Sequence, residues 1–285
     1  MLDPALVQAF VISLPAAAAR RAHILGCLAG RMTAHVVEAV DGRAWTPAEQ
    51  ARFSPDPFCV RQRRVLQPAE IACSVSHRTA MQAFLATGAR YGLILEDDAT
   101  LTAAAIERIG ALVTALPEMD LVKLCGYASP VIGRGRVHGT AAGVAVLRVL
   151  ALGERAHGYL VSRAGAERLV RTLLPVTAPI DIFWRYPWAH GCEIYETSPW
   201  LVGLTPEADA STINPVEAER ARQPLRLRHL PAYLRFKLDR SLRARLNGAR
   251  RFGPGFLLGR RPGFVSGLPS GEVAPGVLGE DAKGP

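Results

Sequence analysis

The stretch Tyr91-Gly92-Leu93-Ile94-Leu95-Glu96-Asp97-Asp98 runs from an apolar segment straight into three acids. A continuous apolar run of this length reads as a strand buried on both faces. In open α/β sheets ligands sit outside the carboxyl ends of strands, so these acids stand where chemistry is done. Three adjacent carboxylates repel one another unless a cation neutralises them. Hard oxygen ligands of this kind suit Mn²⁺ or Mg²⁺, with substrate phosphates completing the shell. A solvated acidic turn or a helix N-cap would use the same residues, and spacing alone leaves both readings open.

Upstream, Pro68 to about Ala86 reads as a helix. Pro68 suits its first turn, and Glu70 suits the positive end of its dipole. Glu70, Cys73, His77, Met81 and Phe84 share one face. Either this helix turns a polar end to the site, or His77 is a core histidine with a hydrogen-bond partner; pattern alone favours the second. Before it, Phe10–Leu14 reads as a strand, Ala16–Leu28 as a helix, and Val36–Ala39 as a strand closed by Asp41-Gly42. Thr46–Val65 reads as irregular, with three prolines and a basic RQRR stretch. Downstream come a helix at Ala103–Leu116, a strand at Asp120–Leu124, an extended Thr140–Leu152, a strand at Tyr159–Ser162 and a helix at Arg163–Leu174. Strand and helix alternate, which predicts an α/β fold with a mixed, mostly parallel sheet and short crossovers.

The chain has 285 residues, 49% hydrophobic and 21% charged, enough for one sizeable domain plus appendages. It holds no run of 18 apolar residues, as a membrane-spanning helix would need. The opening AFVISLPAAAA has no basic region before it and is followed by Arg20 and Arg21. It therefore reads as a buried strand rather than a signal peptide. Five scattered cysteines with no C-x-x-C pair argue against a disulfide scaffold or structural zinc, and fit reduced thiols in the cytoplasm. The net charge of +9 is uneven. Arg220 to Arg261 holds thirteen Lys/Arg against Asp239 alone, so this segment carries +12 and the remainder −3.

The pairing of E-I-x-C-x-x-S-H at 70–77 with I-L-E-D-D at 94–98 resembles glycosyltransferase family 25, the lipooligosaccharide biosynthesis galactosyltransferases. VISL followed by Arg20-Arg21, EAVDG at 38–42, His157-Gly158-Tyr159-Leu160-Val161-Ser162 with Gly165-Ala166, and Pro179-Ile180-Asp181 resemble further segments of that family, in order, over about residues 9–213. The chain departs from the family pattern at Ser13, Pro15-Ala16, Ala69 and Ala72. The resemblance implies a GT-A-like nucleotide-sugar-binding fold, a UDP-sugar donor, often UDP-galactose, a glycan or glycolipid acceptor, and inversion at the sugar carbon. Glu96, Asp97 and Asp98 are then the metal-binding candidates, and Ser13, Arg20, Arg21, Glu70, His77 and Lys123 the donor-binding ones. Asp181 is the candidate base, with Glu193 as an alternative. Asp181 precedes an aromatic patch, Phe183, Trp184, Tyr186 and Trp188, which suits the apolar faces of sugars, although a core cluster would look the same.

Three regions are expected: a transferase domain over 1–215, a basic amphipathic helical segment over 216–256, and a Gly/Pro-rich, disordered tail over 257–285. Within Leu225–Phe256, Leu227, Leu230, Leu234, Leu238, Leu242 and Leu246 recur every three or four residues, flanked by arginines, on a helix expected to break near Pro231. A basic amphipathic helix reads as a membrane-surface element, which predicts a peripheral position on the inner face of the cytoplasmic membrane. The bland alternative packs those leucines on the domain. Nucleic-acid binding, suggested by the basic tail, leaves the acids at 96–98 unexplained and has no matching recognition motif. A non-catalytic membrane-surface scaffold would have no use for those acids, His77 or Asp181.

Overall fold

The apolar run at 91–96 lies inside an eight-stranded sheet. The computed structural model describes residues 1–116, 118–126, 135–205 and 224–263. In chain order these form β1 (Val7–Ser13), α1 (Ala18–Leu28), β2 (Ala34–Glu38), α2 (Pro47–Phe53), β3 (Phe58–Cys59), β4 (Arg64–Val65), α3 (Pro68–Leu85), β5 (Tyr91–Glu96), β6 (Ala99–Thr100), α4 (Ala103–Ala115) and β7 (Leu121–Lys123). They continue with β8 (Gly135–Ala141), β9 (Val144–Val149), β10 (Gly158–Ser162), α5 (Arg163–Thr172), α6 (Ile180–Phe183), α7 (Pro187–His190), β11 (Ile194–Ser198), β12 (Gly203–Leu204) and α8 (Leu230–Phe252).

The sheet order is β2-β1-β5-β10-β7-β11-β9-β8. β2, β1 and β5 are parallel. β10 inserts antiparallel between β5 and β7, β11 runs parallel to β7, and β9 and β8 close the edge as an antiparallel hairpin. The result is a large mixed α/β sheet. The carboxyl ends of β1, β5, β7 and β11 share one edge, because Ile12 pairs with Glu96 and Glu196 with Lys123. Alternation along β5 divides its apolar run. Leu93 and Leu95 join Val7, Val11, Ile24, Ile106 and Ile109 on one face, under α1 and α4. Ile94 joins Phe10, Met81, Phe84, Tyr159 and Leu169 on the other, under α3 and α5. A strand covered on both faces needs no polar alternation.

Three local expectations change. Thr46–Val65 is not irregular throughout. It contains α2, whose Thr46 and Glu49 form a capping box with Pro47 in the first turn, a start signal that the prolines obscured. Thr140–Leu152 is not one extended run but parts of two strands. Ala142 and Gly143 both take positive φ, as a two-residue hairpin turn requires. Pro231 does not break the terminal helix. It sits in the first turn of α8, where a missing N–H costs no hydrogen bond. Pro254–Phe256 form a 3-10 turn, with Phe252 and Phe256 buried against each other. The expected domain end at 215 and the disorder expected over 264–285 lie outside the described residues.

The glycine of the GYLVS-x-x-GA segment has a steric reason. A Cβ on Gly165 would collide with the carbonyl of Asp120, backbone that cannot swing aside. Gly165→Ala is therefore expected to destabilise the fold by about 1–3 kcal/mol, the usual cost of overpacking. Urea denaturation measures this, and an unchanged midpoint would refute the close-packing argument.

Candidate active site

β5 delivers Glu96, and the turn after it delivers Asp97 and Asp98, into an open cleft of about 690 Å³. The three carboxyls have different surroundings. Glu96 Oε1 lies 3.3 Å from His77 Nε2. Burial pushes the Glu96 carboxyl up, but the His77 contact and the nearby His157 and Arg20 outweigh it and hold it below the usual range. Asp97 is buried 3.2 Å from Arg20 Nε. Burial raises its carboxyl, opposed by the Ser13 hydroxyl and Arg20. Asp98 has no such partner. Its Oδ1 is buried without a hydrogen bond. Burial first, then the charges of Glu96 and Asp97, raise its carboxyl to about 7.

α3 forms the facing wall. Cys73, Ser76 and His77 line the cleft with Ala69, and the Ser76 hydroxyl accepts from the Val40 N–H at 2.8 Å, fixing the 39–43 segment beside them. His77 fulfils both readings of its helix. It is fully buried, with Nδ1 3.1 Å from Tyr159 Oη, and its other nitrogen faces Glu96. Cys73, His77 and Glu96 place ligand atoms within 4.8 Å of one another. Burial and the nearby acids raise the Cys73 thiol well above its usual range, which keeps it protonated and a poor ligand for a hard ion. The free Asp98 oxygen and the adjacent Glu96 fit a divalent ion better.

The remaining expected residues divide between cleft and scaffold. Arg20 lines the cleft. Arg21 instead bonds Ser13 Oγ at 3.2 Å and the Leu14 carbonyl at 3.1 Å, holding the end of β1. Glu70 accepts two buried hydrogen bonds from the Arg64 guanidinium at 2.6 and 2.7 Å and a third from the Gln67 N–H, so it anchors the start of α3. Lys123 is buried away from the cleft lining. Its Nζ donates to the carbonyls of Gly153 and Glu154 at 2.6 and 2.9 Å, and lies 3.6 Å from Glu196. Glu196 was not singled out in the sequence. It accepts from the Gly153 N–H at 2.6 Å, and the pair ties the loop before β10 to the sheet edge.

Asp181 lies outside the cleft lining. Its two oxygens accept from the backbone N–H groups of Ile182 and Arg155, at 2.7 and 3.1 Å. Its charge nevertheless acts on Cys73 in the cleft wall. Glu193 is not brought to the cleft. It lies 3.2 Å from Arg148 and bonds Arg251 of α8, a clamp between sheet and helix. Asp41 and Arg43 also line the cleft beside the acids; the EAVDG segment includes Asp41, but no period in the sequence marks Arg43.

A family model described as glycosyltransferase family 25 (LPS biosynthesis protein) matches residues 7–184. The chain belongs to this family. It is a glycosyltransferase, and the matched span carries the acids of β5, the α3 wall and Asp181. Among solved structures, the chain is similar to a Drosophila β-1,4-galactosyltransferase 7 mutant in complex with manganese, UDP-Gal and xylobiose, at 11% identity and a TM-score of 0.39, covering 78% of this chain and 82% of that one. It is also similar to mannose-1-phosphate geranyltransferase from Thermus thermophilus, at 12% identity and a TM-score of 0.28, covering 67% of this chain and 73% of that one. No curated protein matches by sequence.

Asp98 gives the family 25 site a pH signature. An acid whose pKa is raised on folding holds its proton longer in the folded state. Its contribution to stability is complete below its unfolded value of 3.8 and is lost as pH rises through about 7. In buffer free of divalent ions, Asp98→Asn removes that loss. The melting temperature of the variant should therefore gain on the wild type as pH increases across this window. A difference that stays constant with pH would show that Asp98 is not strained.

Proposed function

We propose that this family 25 glycosyltransferase moves a hexose, most simply galactose, from a UDP-sugar to a lipid-linked or lipooligosaccharide glycan. Transfer inverts the sugar carbon and uses Mn²⁺ or Mg²⁺. The carrying observation is the trio of acids at the end of β5, with the Asp98 oxygen buried and unpaired. The GT-A-like reading of the sheet belongs to the same proposal and is supported by the acidic side chains at the carboxyl edge, where ligands sit in open α/β sheets.

Asp98 and Glu96 would hold the ion, which would supply positive charge against the diphosphate as it leaves. Arg20 adds a fixed cation in the same cleft, already oriented by Asp97. An acceptor hydroxyl attacks the sugar carbon, a new C–O bond forms, and the bond to the diphosphate breaks. The hydroxyl proton must leave to a base on the acceptor side. Asp181 is that base in this proposal. It stands on the helix that leads into Trp184, Tyr186 and Trp188, and its field reaches the cleft wall. His77 and Tyr159 would hold the Glu96 carboxylate in place.

Asp98→Asn should abolish metal-dependent hydrolysis of UDP-galactose, and EDTA should do the same to the wild type. Asp181→Asn should lower transfer by about 10²–10⁴ while donor binding survives. Full turnover by Asp98→Asn, or in excess EDTA, would sink the metal reading. Normal transfer by Asp181→Asn would move the base elsewhere.

The proposed location is the inner face of the cytoplasmic membrane. Among the described residues, no helix is long and apolar enough to cross a membrane. The leucine stripe of α8 faces solvent rather than the domain: Leu234, Leu238, Leu242 and Leu246 are 57, 68, 56 and 54% exposed. Arg235, Lys237 and Arg243 flank it, a composition that suits an anionic surface. Flotation with anionic liposomes should recover the wild-type protein and lose a variant with Leu234, Leu238 and Leu242 changed to Ser. Equal recovery of both would exclude the stripe as the anchor.

A further inference from the structure

α8 leaves a second cavity against the domain, a groove of about 1260 Å³. Its lining includes Arg61, Arg185, Arg240 and Arg245 and contains no Asp or Glu. Two of these guanidiniums already have partners, one outside the groove and one within it. Arg185 lies 3.3 Å from Glu154, and Arg61 bonds Tyr186 Oη at 2.8 Å. Arg240 and Arg245 make no ion pair or hydrogen bond among the described residues. Two further donors in this wall, Trp184 Nε1 and Arg185 Nε, are buried without a partner. The groove is therefore rich in cationic donors with no carboxylate in its lining, and the unpaired charges of Arg240 and Arg245 favour entry of an anion. Guanidinium groups suit phosphate and carboxylate through paired N–H bonds.

The aromatic residues narrow the ligand further. Tyr186 and Trp188 line the same groove half-buried, and aromatic faces suit the apolar faces of a sugar ring, while Trp184 is buried beneath them. Trp184 also connects the two cavities. It packs edge-on to Tyr159 with ring centres 4.8 Å apart, Tyr159 bonds His77, and His77 faces Glu96 in the acidic cleft. The acidic cleft suits a metal-bound diphosphate. The arginine groove suits a negatively charged sugar.

We infer that the groove between α8 and the domain binds a phosphate- or carboxylate-bearing sugar of the acceptor glycan. This rests on the transferase reading only for the word acceptor; the binding itself needs neither donor nor turnover.

Calorimetric titration of the full-length protein tests it, with glucose 6-phosphate, glucuronate, glucose and inorganic phosphate as probes. One of the two charged sugars should bind at least about tenfold more tightly than glucose and inorganic phosphate, a difference of about 1.4 kcal/mol. Preference for the first assigns a phosphorylated acceptor, and for the second a carboxylated one. The double variant Arg240→Gln/Arg245→Gln should weaken that binding at least about tenfold, because each arginine offers charge-assisted bonds. Both positions are exposed, and melting curves confirm that the variant is folded. Arg250→Gln, exposed on the same helix but outside the groove, should leave binding unchanged. Binding of glucose or inorganic phosphate as tight as the charged sugars, no binding of either charged sugar, or full affinity in the double variant would overturn the inference. Donor hydrolysis by the wild type is read separately. Its absence would count against the transferase reading and leave the groove result standing.

Discussion

Three carboxylates crowded at the buried end of one strand are the constraint on which the rest of the site depends. Unscreened, they cannot all ionise. The fold relieves two of them unequally: Glu96 by His77, and Asp97 by Arg20. Asp98 is left with a buried oxygen and a raised pKa. This asymmetry separates the roles of three residues that look alike in sequence. Asp97 fixes an arginine in the cleft, Glu96 is oriented by a buried histidine, and Asp98 is the one whose buried Oδ1 has no partner. α3 must lie close over the strand ends for His77 to reach, which explains the burial of Glu70–Ala72 and Ser74–His77.

The buried ion pairs around the cleft serve position more than stability. Taking charges out of water costs several kcal/mol per ion, and the attraction regained roughly offsets it. Arg64–Glu70 fixes the start of α3, so that Cys73 and His77 one and two turns later meet the acids. Lys123 and Glu196 fix the loop at 153–154 from two neighbouring strands. That loop carries Arg155, whose N–H holds Asp181. A short chain of contacts thus runs from sheet edge to loop to the proposed base. Removal of either charge of a pair would strand the other in a dry site.

Where a periodic pattern carried the information, the sequence was readable. The apolar run of β5 and the Glu70-Cys73-His77 face of α3 are local, and both stand where their periods place them. What a side chain meets across a fold is not local. Lys123 and Glu196 are 73 residues apart and both sit in buried strands, so nothing marks them as partners. Arg20 and Arg21 are adjacent and chemically identical, yet one faces the cleft and the other the end of β1, a difference of helical phase that no composition reveals. Glu193 looked like a spare carboxylate because its partners, Arg148 and Arg251, come from a hairpin and a terminal helix. The arginine groove was illegible for the same reason: its lining is drawn from separate segments spread between Arg61 and Arg261.

The leucine stripe of α8 was legible, but the side it faces was not. An amphipathic helix ordinarily turns its apolar face to the core. Here docking uses the opposite flank. Tyr186 meets Phe236 edge-on, Gly248 admits the Phe256 ring where any Cβ would collide, and Arg251 reaches Glu193. Among the large exposed hydrophobics of the described residues, half fall between Leu227 and Leu246. Single exposed leucines need no explanation, but a continuous stripe of them does. Covering the exposed part of each leucine is worth about 1 kcal/mol, so several together favour a partner surface over water. The helix therefore has two distinct flanks. One offers leucines outward, and the other closes an arginine-lined groove that Trp184 joins to the acids. In the proposed function, a lipid-linked glycan held at the first flank would have its charged sugars carried past the second on the way to the cleft.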